Sequence, residues 1–163
     1  MCNNVSNKIW LFHNINWEVE ILLDHPQCLH CKISSPALES PFLFTIVYAK
    51  CTRRERRDLW DQLRVVSSNT LPWVVGGDFN IISSTTEREG GQPPDLNAMN
   101  DFNICQLDCG LLDIGFSGPH FTWQGTDIVQ RLDRFLFNQP WLDKFKRNSV
   151  NHQLRRCSDH RPL

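Results

Sequence analysis

Asp78 and Asn80 stand two residues apart at the end of an apolar run, in Trp73-Val74-Val75-Gly76-Gly77-Asp78-Phe79-Asn80. Residues two apart in an extended chain face one side, so the acid and the amide are expected to point into a shared mouth. Gly76 and Gly77 carry no side chains, which lets another backbone or a ligand come close. A buried acid needs a partner; the alternative is a loop aspartate capping a turn. Two other strand ends carry acids. Arg131-Leu132-Asp133-Arg134-Phe135-Leu136-Phe137 begins an apolar run with charges, which suggests a strand opening onto a cleft or an internal Arg–Asp pair. Ser158-Asp159-His160 sets an acid beside an imidazole at a turn. Together these residues suit metal-assisted hydrolysis of a phosphodiester. A hard divalent ion takes carboxylate oxygens, the attacking water needs a base, and the developing charge needs cationic and N–H donors.

Short strands with helices between them must hold these groups. "KIWLFHN" and "WEVEILL" read as a strand pair, and "CLHCKI" as a third short strand. Phe42 to Ala49 is almost wholly apolar and β-rich, so a central strand buried on both faces is expected. Thr52 and Glu55 form a capping box for a helix whose apolar stripe is Leu59, Trp60 and Leu63. Arg53, Arg54, Arg56 and Arg57 are placed off that stripe, as a solvated face or a localisation signal. "LPWVVGGDF" is the next strand, followed by a long polar loop. Asp95 starts a second helix through Leu96, Met99, Phe102 and Leu107, stopped by Gly110. "LLDIGF", "HFTW" and "QRLDRFLF" read as strands, and a short helix starts near Pro140. This pattern predicts α/β packing with largely antiparallel sheets.

The 163 residues suffice for one domain with a real core, and no apolar run is long enough for a transmembrane helix. The N-terminus lacks the basic and apolar regions of a signal peptide, so secretion is not expected. The seven cysteines read as free thiols. Cys28-Leu29-His30-Cys31 invites a zinc site, but the other close pair, Cys105 and Cys109, sits on a helical pattern, and ordinary strand cysteines are expected. The net charge is −1, so nothing global demands a nucleic-acid partner. From Arg131 onward eight Lys or Arg meet three Asp, a net of +5, which leaves −6 on the first 130 residues. A positive C-terminal third suits a polyanion, though charge segregation also arises without function.

"GGDFN", "GPHFTW", "RLDRFLF" and "SDHRPL", in this order, resemble the endonuclease/exonuclease/phosphatase superfamily, which includes DNase I-like nucleases and abasic-site endonucleases. "FTIVYAKCTRRERRDLW" and "CGLLDIGFSGPHFTW" are similar to the endonuclease domain of plant LINE-type retrotransposons. The resemblance implies a DNase I-like four-layer α/β sandwich with its site at one end. It implies that Asp78 orients and deprotonates the attacking water, that Asn80 holds a phosphate oxygen, and that His160, paired with Asp133, acts on the scissile phosphate. It makes Asp159 a metal-site acid for Mg²⁺ and Tyr48 a phosphate contact. Arg131, Arg134 and Trp123 are expected to touch nucleic acid, and the two glycines to let phosphate and water reach Asp78. A reverse transcriptase domain in the parent element is the implied partner, and the nucleus the implied location.

Upstream of "KIWLFHN" the family has a strand with a catalytic Asn and another ending in the main Mg²⁺-binding Glu; neither is recognisable here. At Leu163 the family's final strand should be forming. A single partial domain, residues 1–163, lacking first strands and last strand, is therefore expected, with weak or no Mg²⁺ binding. Three readings follow: a Mg²⁺-dependent DNA endonuclease, a catalytically dead remnant, and a module that binds nucleic acid without turnover. A lipid or phosphoinositide phosphatase fits the superfamily but not the LINE-like strings.

Overall fold

The computed structural model describes residues 1–163. A hairpin of β1 (Cys2–Asn3) and β2 (Trp10–Leu11) leads into β3 (Glu18–His25), β4 (Cys28–Ser34) and β5 (Phe42–Tyr48). Helix α1 (Arg53–Val66) crosses to β6 (Trp73–Asp78). Then follow β7 (Arg88–Gly90), α2 (Leu96–Asp108), β8 (Leu111–Leu112), β9 (Trp123–Gln124), β10 (Ile128–Gln130), β11 (Asp133–Asn138) and α3 (Gln139–Lys144). The main sheet has the order β3-β4-β5-β6-β11-β8, parallel only at β5–β6, where α1 makes the crossover. A three-stranded sheet, β7-β10-β9, lies apart from it in the hydrogen-bonding pattern. These mixed sheets with few helices are the α/β class expected.

The helices begin where side chains can cap them. Glu55 N–H donates to Thr52 Oγ1 at 3.3 Å, but the Glu55 carboxylate accepts from the Thr52 hydroxyl at 2.6 Å rather than reaching the Thr52 N–H. The Asp95 carboxylate caps α2 by accepting from Asn97 and Ala98 N–H. Gly110, at φ +62°, takes the left-handed turn that ends α2. Leu59, Trp60 and Leu63 of α1 and Met99, Phe102 and Cys105 of α2 pack on Leu43, Val47, Trp73, Val75 and Leu136 of the sheet. At about 1.5–3 kcal/mol for each large apolar side chain, this layer is the main source of stability.

The opposite face of the sheet differs. Phe42, Phe44, Ile46 and Phe135 are only partly buried there, covered at one end by Ile9, Leu11 and Trp17 and at the other by Val150, Trp141 and Leu142. So β5 is sealed on one face, by Leu43, Thr45 and Val47, and half open on the other, rather than buried on both. Of the four expected layers, the chain shows one full sheet with α1 and α2 on one face and the short α3 at one end of the other, plus two small sheets. "KIWLFHN" also pairs differently from the expectation: its partner is Cys2–Asn3, while the "WEVEILL" segment pairs with β4 through a tight hairpin at Pro26-Gln27. "LLDIGF" contributes only two strand residues, Leu111 and Leu112, and "HFTW" only one, Trp123. Cys28 joins the helix-side core and Cys31 the other face, because three positions along a strand invert the side chain. Their thiols therefore cannot converge on one ion, and all seven cysteines are free.

Candidate active site

Register places the acids. In the sheet, Asp78 lies opposite Asp133 on one side and Tyr48 on the other, so three strand ends meet in one row. The C-terminal segment closes over that row. It is held by an antiparallel bridge between Trp123 and His160, by Arg161 N–H to Thr122 O at 2.7 Å, and by Gln124 N–H to Asp159 O at 3.1 Å. Buried Thr122 also fixes the start of β11, its hydroxyl oxygen accepting from Leu132 and Asp133 N–H at 2.9 and 3.0 Å.

The result is an acid–imidazole–acid line. His160 Nδ1 is hydrogen-bonded to Asp133 Oδ2 at 2.8 Å, and its Nε2 lies 4.0 Å from Asp78 Oδ2. Asn80 holds the Asp78 carboxylate twice, N–H to Oδ1 at 2.8 Å and Nδ2–H to Oδ2 at 2.9 Å, while also donating to Ala49 O at 2.7 Å. The strand stops at Asp78, and Asn80 has φ +50°. The two residues meet through a tight turn, not through extended-chain alternation. Burial, helped by the charge of Asp133, pushes Asp78 up to about 6 against the pull of the Asn80 N–H. The hydrogen bond to Asp133 raises His160 despite partial burial, which favours imidazolium.

Asp78, Asn80 and His160 border a cleft of about 550 Å³ that also includes Tyr48, Arg56, Trp123 and Asp159. Tyr48 is exposed at its edge, with Lys8 Nζ 5.3 Å from the ring centroid. Asp159 faces the cleft, but its Oδ2 accepts from Trp123 Nε1 at 3.0 Å, and the groups whose ligand atoms lie within 4.8 Å of one another are Asp78, Asp133 and His160.

Residues 15–160 match the model of the endonuclease/exonuclease/phosphatase family. The chain belongs to that family. Its fold is similar to the endonuclease domain of TRAS1, a telomere-specific non-LTR retrotransposon, with a TM-score of 0.62 at 16% identity over 80% of this chain and 59% of that one. It is also similar to the 3′ phosphatase NExo from Neisseria, in a structure bound to product DNA hairpin, with a TM-score of 0.60 at 17% identity over 90% of this chain and 68% of that one. The chain thus spans less than two thirds of the TRAS1 domain. A search of the curated proteins returned no match.

Within this family member, three expectations need correction. Arg131 and Arg134 do not face nucleic acid. They are 5% and 0% exposed and pair with Glu87 and Asp113 at 2.8–3.2 Å, Arg131 from the link between β10 and β11 and Arg134 from β11 itself. The glycines do not open a path to Asp78. A Cβ on Gly77, at φ +133°, would lie 2.1 Å from Val47 O, and one on Gly76 would strike the Phe135 ring at 2.2 Å, so both serve close packing within the sheet. Arg56 is not on a solvated face. It is 4% exposed, and its Nη1 donates to Lys50, Cys51 and Asn80 carbonyls at 2.7–3.0 Å, fastening α1 to the turn that carries Asn80. The signal was present: Arg56, Leu59, Trp60 and Leu63 have the spacing of one helix face.

Proposed function

We propose that this chain is a metal-assisted phosphodiesterase that nicks DNA by attack of water on phosphorus. The carrying observation is the line Asp133–His160–Asp78, with Asn80 gripping Asp78, at one end of the sheet. Asp78, held up near 6, is matched to take a proton from water close to neutral pH. Asn80 fixes the carboxylate's orientation, and Asp133 fixes the ring. His160 Nε2, left free on the side facing Asp78, then donates to a phosphoryl oxygen as negative charge grows there. Tyr48 and Trp123 flank the path of the strand across the cleft.

The donor set fits a divalent cation loosely. Mg²⁺ is commonly bound by one or two carboxylates plus substrate phosphates, and Asp78 and Asp133, with Asp159 at the rim, would hold it here. When bound, it supplies charge neutralisation at the phosphate and a lowered pKa for its water. Asp133 is committed to His160, Asp159 accepts from Trp123 Nε1 and Asn80 donates to both oxygens of Asp78, so weak metal binding and slow turnover are the expected outcome. That observation also favours a second reading, a module that holds nucleic acid without turnover. The fold similarity to TRAS1 and the LINE-like strings support nicking of target DNA in the life of a plant LINE-type element, in the nucleus and beside a reverse transcriptase.

The test is nicking of supercoiled plasmid with Mg²⁺, compared with Asp78→Ala. Nicking lost in the variant supports the nuclease. No nicking, with retained DNA binding, replaces it by the second reading.

A further inference from the structure

Trp123 has two neighbours. On one side it walls the cleft with Asp159. It also walls a separate cavity of about 110 Å³ with Gln124, Arg155 and Arg161. That volume is well below the roughly 300 Å³ at which small-molecule pockets begin, so the cavity suits one compact group.

The charges around it are unbalanced. Arg155 Nη2 donates only to the Gln124 amide oxygen. Arg161 is anchored by Nε–H to Phe121 O at 2.9 Å and weakly by Nη1 to Gln153 O at 3.5 Å. Neither guanidinium has a carboxylate partner, whereas Arg53, Arg64, Arg131 and Arg134 all do. Both side chains are half-buried, unlike neighbouring Arg156, which projects into solvent. Two like charges at one concavity repel each other unless an anion sits between them. Guanidinium forks match the oxygens of a phosphate, and a neutral amide beside them adds an N–H donor.

We infer that the cavity bounded by Gln124, Arg155 and Arg161 binds a backbone phosphate of the nucleic-acid strand whose scissile phosphate occupies the cleft, with Trp123 as the shared wall. The inference rests on the phosphodiesterase reading of the cleft and narrows its substrate. A lone phosphomonoester has nothing to place in the second cavity, and a strand does.

The experiment is fluorescence anisotropy of a labelled DNA duplex in EDTA, titrated at several salt concentrations. Arg155→Ala leaves the backbone hydrogen bonds untouched, and Arg161→Gln serves as a second variant. Lys146→Ala/Arg147→Ala is the control, since it removes two positive charges, more than either single variant, outside the cavity. Arg155→Ala is expected to weaken binding about fivefold to tenfold and to lower the slope of log affinity against log salt by about 1, the loss of one phosphate contact. Arg161→Gln should do the same, and the control should change the slope by less. The inference is overturned if the wild type does not bind, if both single variants bind with unchanged affinity and slope, or if the control matches them. Plasmid nicking scores the cleft separately. Nicking that depends on Asp78, with Arg155→Ala binding normally, removes the cavity and keeps the cleft. Impaired Arg155→Ala binding without any nicking does the reverse.

Discussion

Glu87 and Asp78 are almost equally buried, 6% and 7% exposed, and their protons are pulled in opposite directions. For Glu87 burial alone favours the neutral acid, but the charge and hydrogen bond of Arg134, the Ser83 N–H and Arg131 outweigh it and hold the carboxyl at about 2. For Asp78 burial and Asp133 act together and lift it to about 6. One cluster matches two acids with two arginines and locks the 83–88 loop to β11. The other sets an acid beside an acid and shares one imidazole between them. Buried charge with full compensation is architecture. Buried charge left short of a partner is a group poised for a ligand or a proton.

Exchanging the protonation-competent oxygen at each centre gives the largest effects, and they should cross. Asp78→Asn is expected to lower nicking by a hundredfold or more, as loss of a general base does, with stability in chemical denaturation unchanged or higher. Asp133→Asn should lower nicking by about a hundredfold through loss of the imidazolium. Glu87→Gln is expected to cost about 3–5 kcal/mol of stability, because it leaves buried Arg131 and Arg134 sharing the single charge of Asp113. If Asp78→Asn proves the more destabilising, the division between architecture and chemistry is wrong.

Acid titration sharpens the same contrast. The folded-state value of Glu87 lies below its ordinary 4.5. Its contribution is therefore full above about pH 4.5 and lost as pH falls toward 2. The gap corresponds to roughly 3 kcal/mol. Urea midpoints measured across that window should fall steeply for the wild type and much less for Glu87→Gln.

Arg56 lies between the two cases, a buried cation satisfied by carbonyls rather than carboxylates. Its burial lowers its pKa, but no neighbouring acid neutralises it directly. Arg56→Met leaves Lys50, Cys51 and Asn80 carbonyls short of a donor, at about 1–3 kcal/mol. Nicking should also fall, by about tenfold, because the Asn80 turn loses its tie to α1. A stability loss with unchanged nicking would make Arg56 structural only.

What was legible in the sequence follows from the range of each interaction. Asp78 and Asp133 stood out because each borders an apolar run, and His160 because it stands beside an acid at a turn; strand register then aligned the two acids, and a bridge to Trp123 brought in His160. The Glu87 and Asp113 cluster did not, since Glu87 is 44 residues from Arg131 and Asp113 is 18 away, with nothing local marking either as its partner. Gly76 and Gly77 announced a close approach, but only the packed sheet shows that Val47 and Phe135 make it. Arg56 was readable from spacing alone, and the charge of its neighbours on α1 obscured it.

A third acid–histidine pair isolates what surroundings add. His25 Nε2 lies 2.9 Å from Asp58 Oδ2, nearly the 2.8 Å of His160 and Asp133. The partners differ in setting: the Asp58 side chain is 65% exposed and that of Asp133 13%. In water the attraction is weakened by the solvent dielectric and by salt, and holding two side chains in place costs entropy. Asp58→Asn is therefore expected to cost less than about 1 kcal/mol in chemical denaturation. The small loss should shrink further in high salt, and nicking should stay at the wild-type rate. His25 ties the end of β3 to α1 and does not line the cleft. A larger loss, or a change in nicking, would mean that an exposed pair at this distance carries what is here ascribed to burial and to the second acid, Asp78.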